Sequence, residues 1–398
     1  MKYYSTEHES PRVRFSEALM RGLAPDGGLY MPDSFPVGLE IDGGNFADRA
    51  CQLLGSFVPR RGLDRLCADA FNFPVPLRRL SENLFVLELF HGPTLSFKDF
   101  GARFMARAIS GYAEKGGKLN IIVATSGDTG SAVASAFFGV PGVNVFVLYP
   151  KGRVTELQEK QMATLGGNVF ALRVNGDFDD CHRMAEDTLK DAVLRERLRL
   201  SSANSINIGR LLPQMSYYLE AKEKLRWKYG RAERPIFVVP SGNFGNLTAG
   251  LFVHRMGSLP AELFVAAVNI NSQIPEYLAT GHLGSTKTIP TLSSAMDVGR
   301  PKNWARIVEL FGGDRSRINN AIKAVMVNGH DTEMTMRSIY ENFGYIVDPH
   351  TAVGLHAAAE IAKRGFSRTP IVVLSTAHPA KFRESVERVI REPVEIPE

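Results

Sequence analysis

Ile121-Ile122-Val123-Ala124-Thr125-Ser126-Gly127-Asp128-Thr129-Gly130-Ser131 is the stretch that decides the fold. Four apolar residues in a row read as a short strand covered on both faces. Small polar residues and two glycines follow, and a helix of small residues is predicted from Ser131 to Phe138. Glycine lets the backbone bend close to a ligand, and the first turn of a helix offers N–H groups to an anion. A strand that passes through such a turn into a helix is half of a βαβ unit, the building block of parallel sheets.

The same rhythm continues outward. Val143–Leu148 and Val169–Val174 read as further strands. Between them Thr155-Glu156-Leu157-Gln158 is a capping box that opens a helix ended by Gly166-Gly167, and a charged helix is predicted from Asp179 to Arg199. A second series begins with the strand Pro235–Pro240, the turn Ser241-Gly242-Asn243-Phe244-Gly245-Asn246 and a helix to Met256. Leu263–Asn269 is its next strand, and 270–300 is rich in turn formers and predicts a loop over a site. Asp331–Asn342 and Thr351–Lys363 read as helices, Pro370–Ser375 as the last strand and Pro379–Ile390 as the last helix. The first eighty residues read as irregular, with turn signals at Ala24–Gly28 and Ile41–Gly44.

The chain has 398 residues, beyond the roughly 250–300 at which single cores stop growing. Two βα series therefore predict an α/β protein of two lobes, each with a largely parallel sheet flanked by helices, and a cleft between them. The expected division is an N-terminal region 1–80, a large lobe 81–115 with 205–398, and a smaller lobe 116–204. A net charge of +5 over this length is too dilute to argue for nucleic acid, and no basic run is interleaved with aromatics. Apolar runs such as Ile236–Pro240 fall far short of the ~20 residues that span a bilayer. The first ten residues carry no apolar signal segment. Three widely spaced cysteines, Cys51, Cys67 and Cys181, give neither a disulfide framework nor a zinc motif and fit a reducing cytoplasm.

Chemistry-bearing residues fall in five loops. His91-Gly92-Pro93-Thr94-Leu95-Ser96-Phe97-Lys98-Asp99-Phe100-Gly101 is the most unusual. Phe100, Phe104, Ala108 and Tyr112 recur every four residues, so Lys98 stands at the N-terminus of a helix. Such a lysine is either a solvated surface group or an amine whose pKa the macrodipole lowers, as a Schiff-base lysine requires. The turns at Ser126–Thr129 and Ser241–Asn246 are capped βα turns or anion cradles. The second is neither GxxxxGK[ST] nor GxGxxG, which removes the P-loop and dinucleotide fingerprints. Asn204-Ser205-Ile206-Asn207-Ile208-Gly209-Arg210 gathers amides, a hydroxyl and a guanidinium before a helix, either as a cap or as an anion site. Ser375-Thr376-Ala377-His378-Pro379-Ala380-Lys381 closes the last strand, with Ser375 or Thr376 placed to point into a cleft mouth. The nine histidines show no HExxH, and Ser126-Gly127-Asp128 is not a nucleophile elbow.

Taken in order, these loops resemble the threonine synthase family, pyridoxal-phosphate enzymes of fold type II. The likeness runs through HGPTLSFKD at 91–99, ATSGDTGSA at 124–132, NSIN at 204–207, VPSGNFGNLTAG at 239–250 and TAHPAKF at 376–382, and it includes the opening MKYYST and GLAPDGGLY at 22–30. The resemblance implies conversion of O-phospho-L-homoserine and water to L-threonine and phosphate. It implies that Lys98 binds pyridoxal phosphate covalently and then acts as the base. Ser241, Gly242, Asn243, Phe244, Gly245 and Asn246 would hold the cofactor phosphate. Thr376, with Ser375 the neighbouring candidate, would face the pyridine nitrogen. Thr94 and the Ser126, Gly127, Asp128 and Thr129 loop would meet the substrate, with backbone N–H groups on its carboxylate and Asp128 acting from the side or pointing away. Ser205, Asn207 and Arg210, with Lys381 as a weaker candidate, would take the leaving phosphate. A phospholyase giving a keto acid, or a binding protein for a phosphorylated metabolite, would use the same loops.

Overall fold

The computed structural model describes residues 1–113, 117–231, 233–284 and 287–397. The chain divides into two compact units, Met1–Pro74 with Gly92–Ser216, and Val75–His91 with Tyr217–Glu398. The lysine loop and its helix, expected with the larger lobe, fall in the first unit, as does most of the N-terminal region. The expected boundary at 115/116 lies outside the described residues.

In the first unit the deciding stretch forms the strand Leu119–Ala124 and the helix Asp128–Phe137. The strand belongs to a four-stranded parallel sheet in the order Val169–Val174, Val143–Pro150, Leu119–Ala124, Leu200–Ser202. The fourth strand reads Leu-Ser-Ser and carries no apolar run, so only its pairing, Asn120 opposite Leu200, reveals it. The single charged helix expected at 179–199 is two, Phe178–Lys190 and Ala192–Arg197. Asp191 separates them, because its backbone is extended and its side chain accepts the Leu194 N–H as a cap. The Thr155 capping box forms reciprocally with Gln158. The N-terminal residues are more regular than expected. Lys2–Ser5 pairs antiparallel with Val13–Arg14 and Tyr30–Pro32, and Tyr3 is fully buried with its hydroxyl donating to Phe57 O at 2.7 Å. Strands of two to four residues are too short to show a period.

The second unit holds a six-stranded sheet in the order Ile322–Val327, Leu263–Asn269, Ile236–Pro240, Ile371–Ser375, Leu84–Glu88, Leu77–Arg79. All neighbours are parallel except the last pair. Its three central strands, Leu263–Asn269, Ile236–Pro240 and Ile371–Ser375, are buried throughout, which is why they read as unbroken apolar runs rather than alternating ones. The stretch 270–300 is not one loop. It contains the helix Ile274–Thr280 and the short 3-10 turn Ser294–Met296, while residues 285 and 286 lie outside the described residues. The last helix is a 3-10 turn, Pro379–Phe382, followed by Arg383–Ile390.

One helix-to-sheet contact leaves no room for a side chain. A Cβ at Gly250 would stand 2.7 Å from both Phe264 Cε1 and Tyr218 Cζ. Gly250→Ala is therefore expected to destabilise the protein by about 1–3 kcal/mol, overpacking outweighing the better helix propensity of alanine. A melting temperature equal to or above that of the wild type would contradict this.

Candidate active site

Lys98 is the first residue of the helix Lys98–Ala113, the helix start expected for it. Its side chain is only 14% exposed. The ammonium stands 3.5 Å from Asp128 Oδ2 and 4.8 Å from the Phe97 ring centroid. Asp128 is thus turned toward the lysine. The loop before the helix is built around Asp99. Its carboxylate accepts the Thr94 N–H at 2.9 Å and the Thr94 hydroxyl at 2.7 Å, and Leu95 adopts φ +58° to complete the turn. Thr94 is buried against this carboxylate.

The parallel sheet of this unit brings two of the expected loops side by side. Leu119–Ala124 and Leu200–Ser202 are neighbours, so the turns beyond their carboxyl ends adjoin. Asn204 Nδ2 donates to Ala124 O at 2.9 Å across that junction. Such a place, where strand order reverses, is where open parallel sheets bind ligands. In the first turn Thr125 Oγ1 accepts the N–H groups of Gly127 and Gly130 at 2.9 and 2.8 Å. The Gly127 N–H is therefore engaged within the turn, and Ser126 and Thr129 remain half-buried at its surface. Gly127 has φ +138°, and a Cβ there would lie 2.3 Å from the Gln158 side chain. Only glycine fits.

In the second turn the residues divide by role. Both amide protons of Asn207 go to backbone carbonyls, Leu19 O at 2.9 Å and Ser202 O at 3.0 Å, and its Oδ1 accepts Gly209 N–H. Expected as a phosphate ligand, Asn207 has no donor left for one and instead shapes the turn. Ser205 is half-buried. Arg210 is 3% exposed. Its guanidinium donates to Ala203 O, and its buried Nε has no hydrogen-bond partner among the described residues. Burial pulls the guanidinium down to about 10, against the opposing charge of Asp99. A buried cation with an unmatched donor is costly unless an anion meets it. Gly101, one turn into the lysine helix, is where Arg210 Nε packs, 2.8 Å from the place a Cβ would take.

The second unit assembles the other two loops in the same way. Ile236–Pro240 and Ile371–Ser375 are adjacent parallel strands, so the Ser241–Asn246 turn and the Ser375–Lys381 segment leave neighbouring carboxyl ends. This is again a reversal point of the sheet. The helix Gly245–Arg255 starts after Phe244, which has φ +61°, and no side chain caps it. Its first N–H groups and dipole suit a phosphate. Asn246 and Ser241 brace the turn. Asn246 Nδ2 donates to Pro240 O at 2.8 Å, and Ser241 Oγ lies 3.2 Å from Asn246 Oδ1. Asn243 Oδ1 accepts the Lys302 N–H. Ser375 Oγ is 2.8 Å from Thr351 Oγ1, which in turn donates to Asp348. Thr376 is buried beside it, and Lys381 is fully buried.

Two supporting residues escaped the sequence reading. Gln158 holds Asp128 through an Nε2–H donated to Oδ1 at 2.9 Å while its Oε1 accepts Thr155 N–H. The capping box was visible, but its second task depends on which loop the helix meets. Asp348 was legible only as a residue before Pro349. It caps the helix Pro349–Ile361 and fixes His350 and Thr351 at once.

Each unit by itself offers groups that suit a phosphorylated aldehyde cofactor: in the second, an uncapped helix start with a buried hydroxyl on the adjacent strand end, and in the first, a shielded lysine. Residues 71–377 match the profile of pyridoxal-phosphate dependent enzymes, so the fold is that of fold type II and pyridoxal phosphate is the cofactor. Residues 2–71 match the threonine synthase N terminus. The threonine synthase of Haemophilus influenzae is 43% identical, over 100% of this chain and 93% of that protein. The crystal structure of threonine synthase from Escherichia coli superposes with a TM-score of 0.92 at 41% identity, covering 100% of this chain and 93% of that one. A pyridoxal-phosphate-bound threonine synthase from Brucella melitensis gives 0.91 at 35% identity, with the same coverage. The chain belongs to the threonine synthase family. It is a pyridoxal-phosphate-dependent lyase.

Proposed function

We propose that the protein converts O-phospho-L-homoserine and water to L-threonine and phosphate. The observation that carries this reading is the buried Arg210 guanidinium, with its unmatched Nε, packed on the helix that begins at Lys98. A lyase acting on a phosphate ester needs a fixed cation where the leaving group gathers charge. Ser205 would complete that site, and Lys381 is the further candidate.

When bound, pyridoxal phosphate supplies an electron sink for negative charge at the substrate α-carbon. The backbone N–H groups of the Ser241–Asn246 turn and the start of Gly245–Arg255 would hold its phosphate. Thr376 is the better partner for the pyridine nitrogen, because the Ser375 hydroxyl is engaged by Thr351. A neutral hydroxyl leaves that nitrogen largely unprotonated. Lys98 would take the proton from the α-carbon and shuttle the one from the β-carbon. Arg210 and Ser205 would hold the phosphate as it leaves the γ-carbon, which is then reprotonated before water adds at the β-carbon. The Ser126–Thr129 turn would orient the substrate carboxylate through its remaining N–H groups and hydroxyls. Asp128 would hold the Lys98 ammonium until substrate engages it.

Among the described residues no helix is long and apolar enough to cross a membrane. We place the protein in the cytoplasm, supported by its three unpaired cysteines.

Product analysis with O-phospho-L-homoserine tests the proposal. Threonine and phosphate in equal amounts are expected. Accumulation of 2-oxobutyrate and ammonia would instead assign a phospholyase, and no turnover by a cofactor-loaded protein would leave only binding.

A further inference from the structure

Asp348 lies in the second unit, fully buried, and four hydrogen bonds converge on its carboxylate. Oδ1 accepts from the Thr351 N–H and the Thr351 hydroxyl, and Oδ2 from the His350 N–H and from His350 Nδ1. Each partner then reaches a different cofactor loop. The Thr351 hydroxyl gives its proton to Asp348, so Ser375 must donate to Thr351 Oγ1, at 2.8 Å. That contact anchors the strand end from which Thr376 follows. On the other side, His350 Nε2 accepts the Ala295 N–H at 3.1 Å. The imidazole therefore carries its proton on Nδ1, facing Asp348. Ala295 sits in the turn Ser294–Met296, which is pressed onto the phosphate loop: a Cβ at Gly242 would stand 2.6 Å from Ala295 O and 2.9 Å from Met296 Cα. Asp297, next in sequence, is itself held by Asn269, Asn271 and Thr291, so the turn has little freedom once His350 is fixed.

We propose that Asp348 is a positioning residue that sets both ends of the cofactor site, the ring end through Thr351 and Ser375 and the phosphate end through His350 and Ala295. This rests on the assignment of Ser241–Asn246 and Thr376 to pyridoxal phosphate made above. The two arms can be cut separately. Asp348→Asn keeps an oxygen for the Thr351 hydroxyl but turns an NH2 toward His350 Nδ1. The imidazole must then move its proton to Nε2, which puts two donors face to face at Ala295. Thr351→Val leaves the His350 arm intact and removes the acceptor for Ser375.

The test is titration of cofactor-free protein with pyridoxal phosphate and, separately, with pyridoxal, which lacks the phosphate. Asp348→Asn is expected to raise Kd for pyridoxal phosphate about tenfold, the loss of roughly one buried hydrogen bond, and to leave pyridoxal binding near wild type. Thr351→Val is expected to weaken both ligands by a common factor and to move the visible absorption maximum. A merely structural role would weaken both ligands alike in both variants. That result, or wild-type affinities in both, would overturn the proposal. If Asp348→Asn does not fold, His350→Phe cuts the same arm and the same split is expected. A wild-type protein that binds neither ligand would defeat the functional assignment instead, so the two failures are distinct.

Discussion

Lys98→Ala is expected to lower threonine formation by at least about 10³-fold. A positioned base contributes roughly 10²–10⁴-fold, and in the proposed reading the same amine also binds the cofactor. The side chain is 14% exposed, and its ammonium lies 3.5 Å from Asp128 Oδ2. Removing it does not change the Ser241–Asn246 turn proposed to hold the cofactor phosphate, so the variant should still take up pyridoxal phosphate, but noncovalently. Borohydride reduction and peptide mapping of the wild type should place a pyridoxyl group on Lys98 and on no other lysine, and the variant should carry none. A fully active Lys98→Ala protein, or a label on Lys381, would overturn the assignment.

Arg210→Ala is expected to have the second largest effect. A hydrogen bond to a charged group contributes about 1.5–3 kcal/mol, and the guanidinium can offer more than one to a phosphate. A fall of about 10- to 100-fold in kcat/KM follows, with inhibition by inorganic phosphate weakened in parallel. The phosphate readout separates this from a packing defect, because Arg210 also braces Ala203 O and abuts Gly101. Arg210→Lys keeps the charge and loses the planar donors, so partial recovery of phosphate inhibition is expected. Wild-type phosphate inhibition in Arg210→Ala would remove the residue from the leaving-group site.

The same sheet rule explains why the loops could be read as sites before they could be read as neighbours. Thr125–Gly130 and Ser241–Asn246 each follow an apolar run and precede a helix, and both features are local. Their partners come from far along the chain. Asn204 meets Ala124 across 80 positions, and Ser375 meets its neighbours only because Ile371–Ser375 inserts between Ile236–Pro240 and Leu84–Glu88. The Asn207 side chain shows the opposite limit. An amide in a motif of anion-binding groups looks like a ligand, yet its protons go to Leu19 and Ser202 carbonyls that no local pattern predicts.

What the sequence determined by itself were the features that lie within a few residues of one another: the apolar strands, the capping box at Thr155, the helix start at Lys98, and the glycine turns between strand and helix. Backbone propensity and 3.6- or 2-residue periodicity act over that range, so they can be read directly. Tertiary structure alone decided which groups face each other: Asp128 on Lys98, Gln158 behind Asp128, and Asp348 between two loops. Those contacts depend on strand order and on which polar group a fold leaves in need of a partner once it is buried, and both are settled only when the sheets have closed.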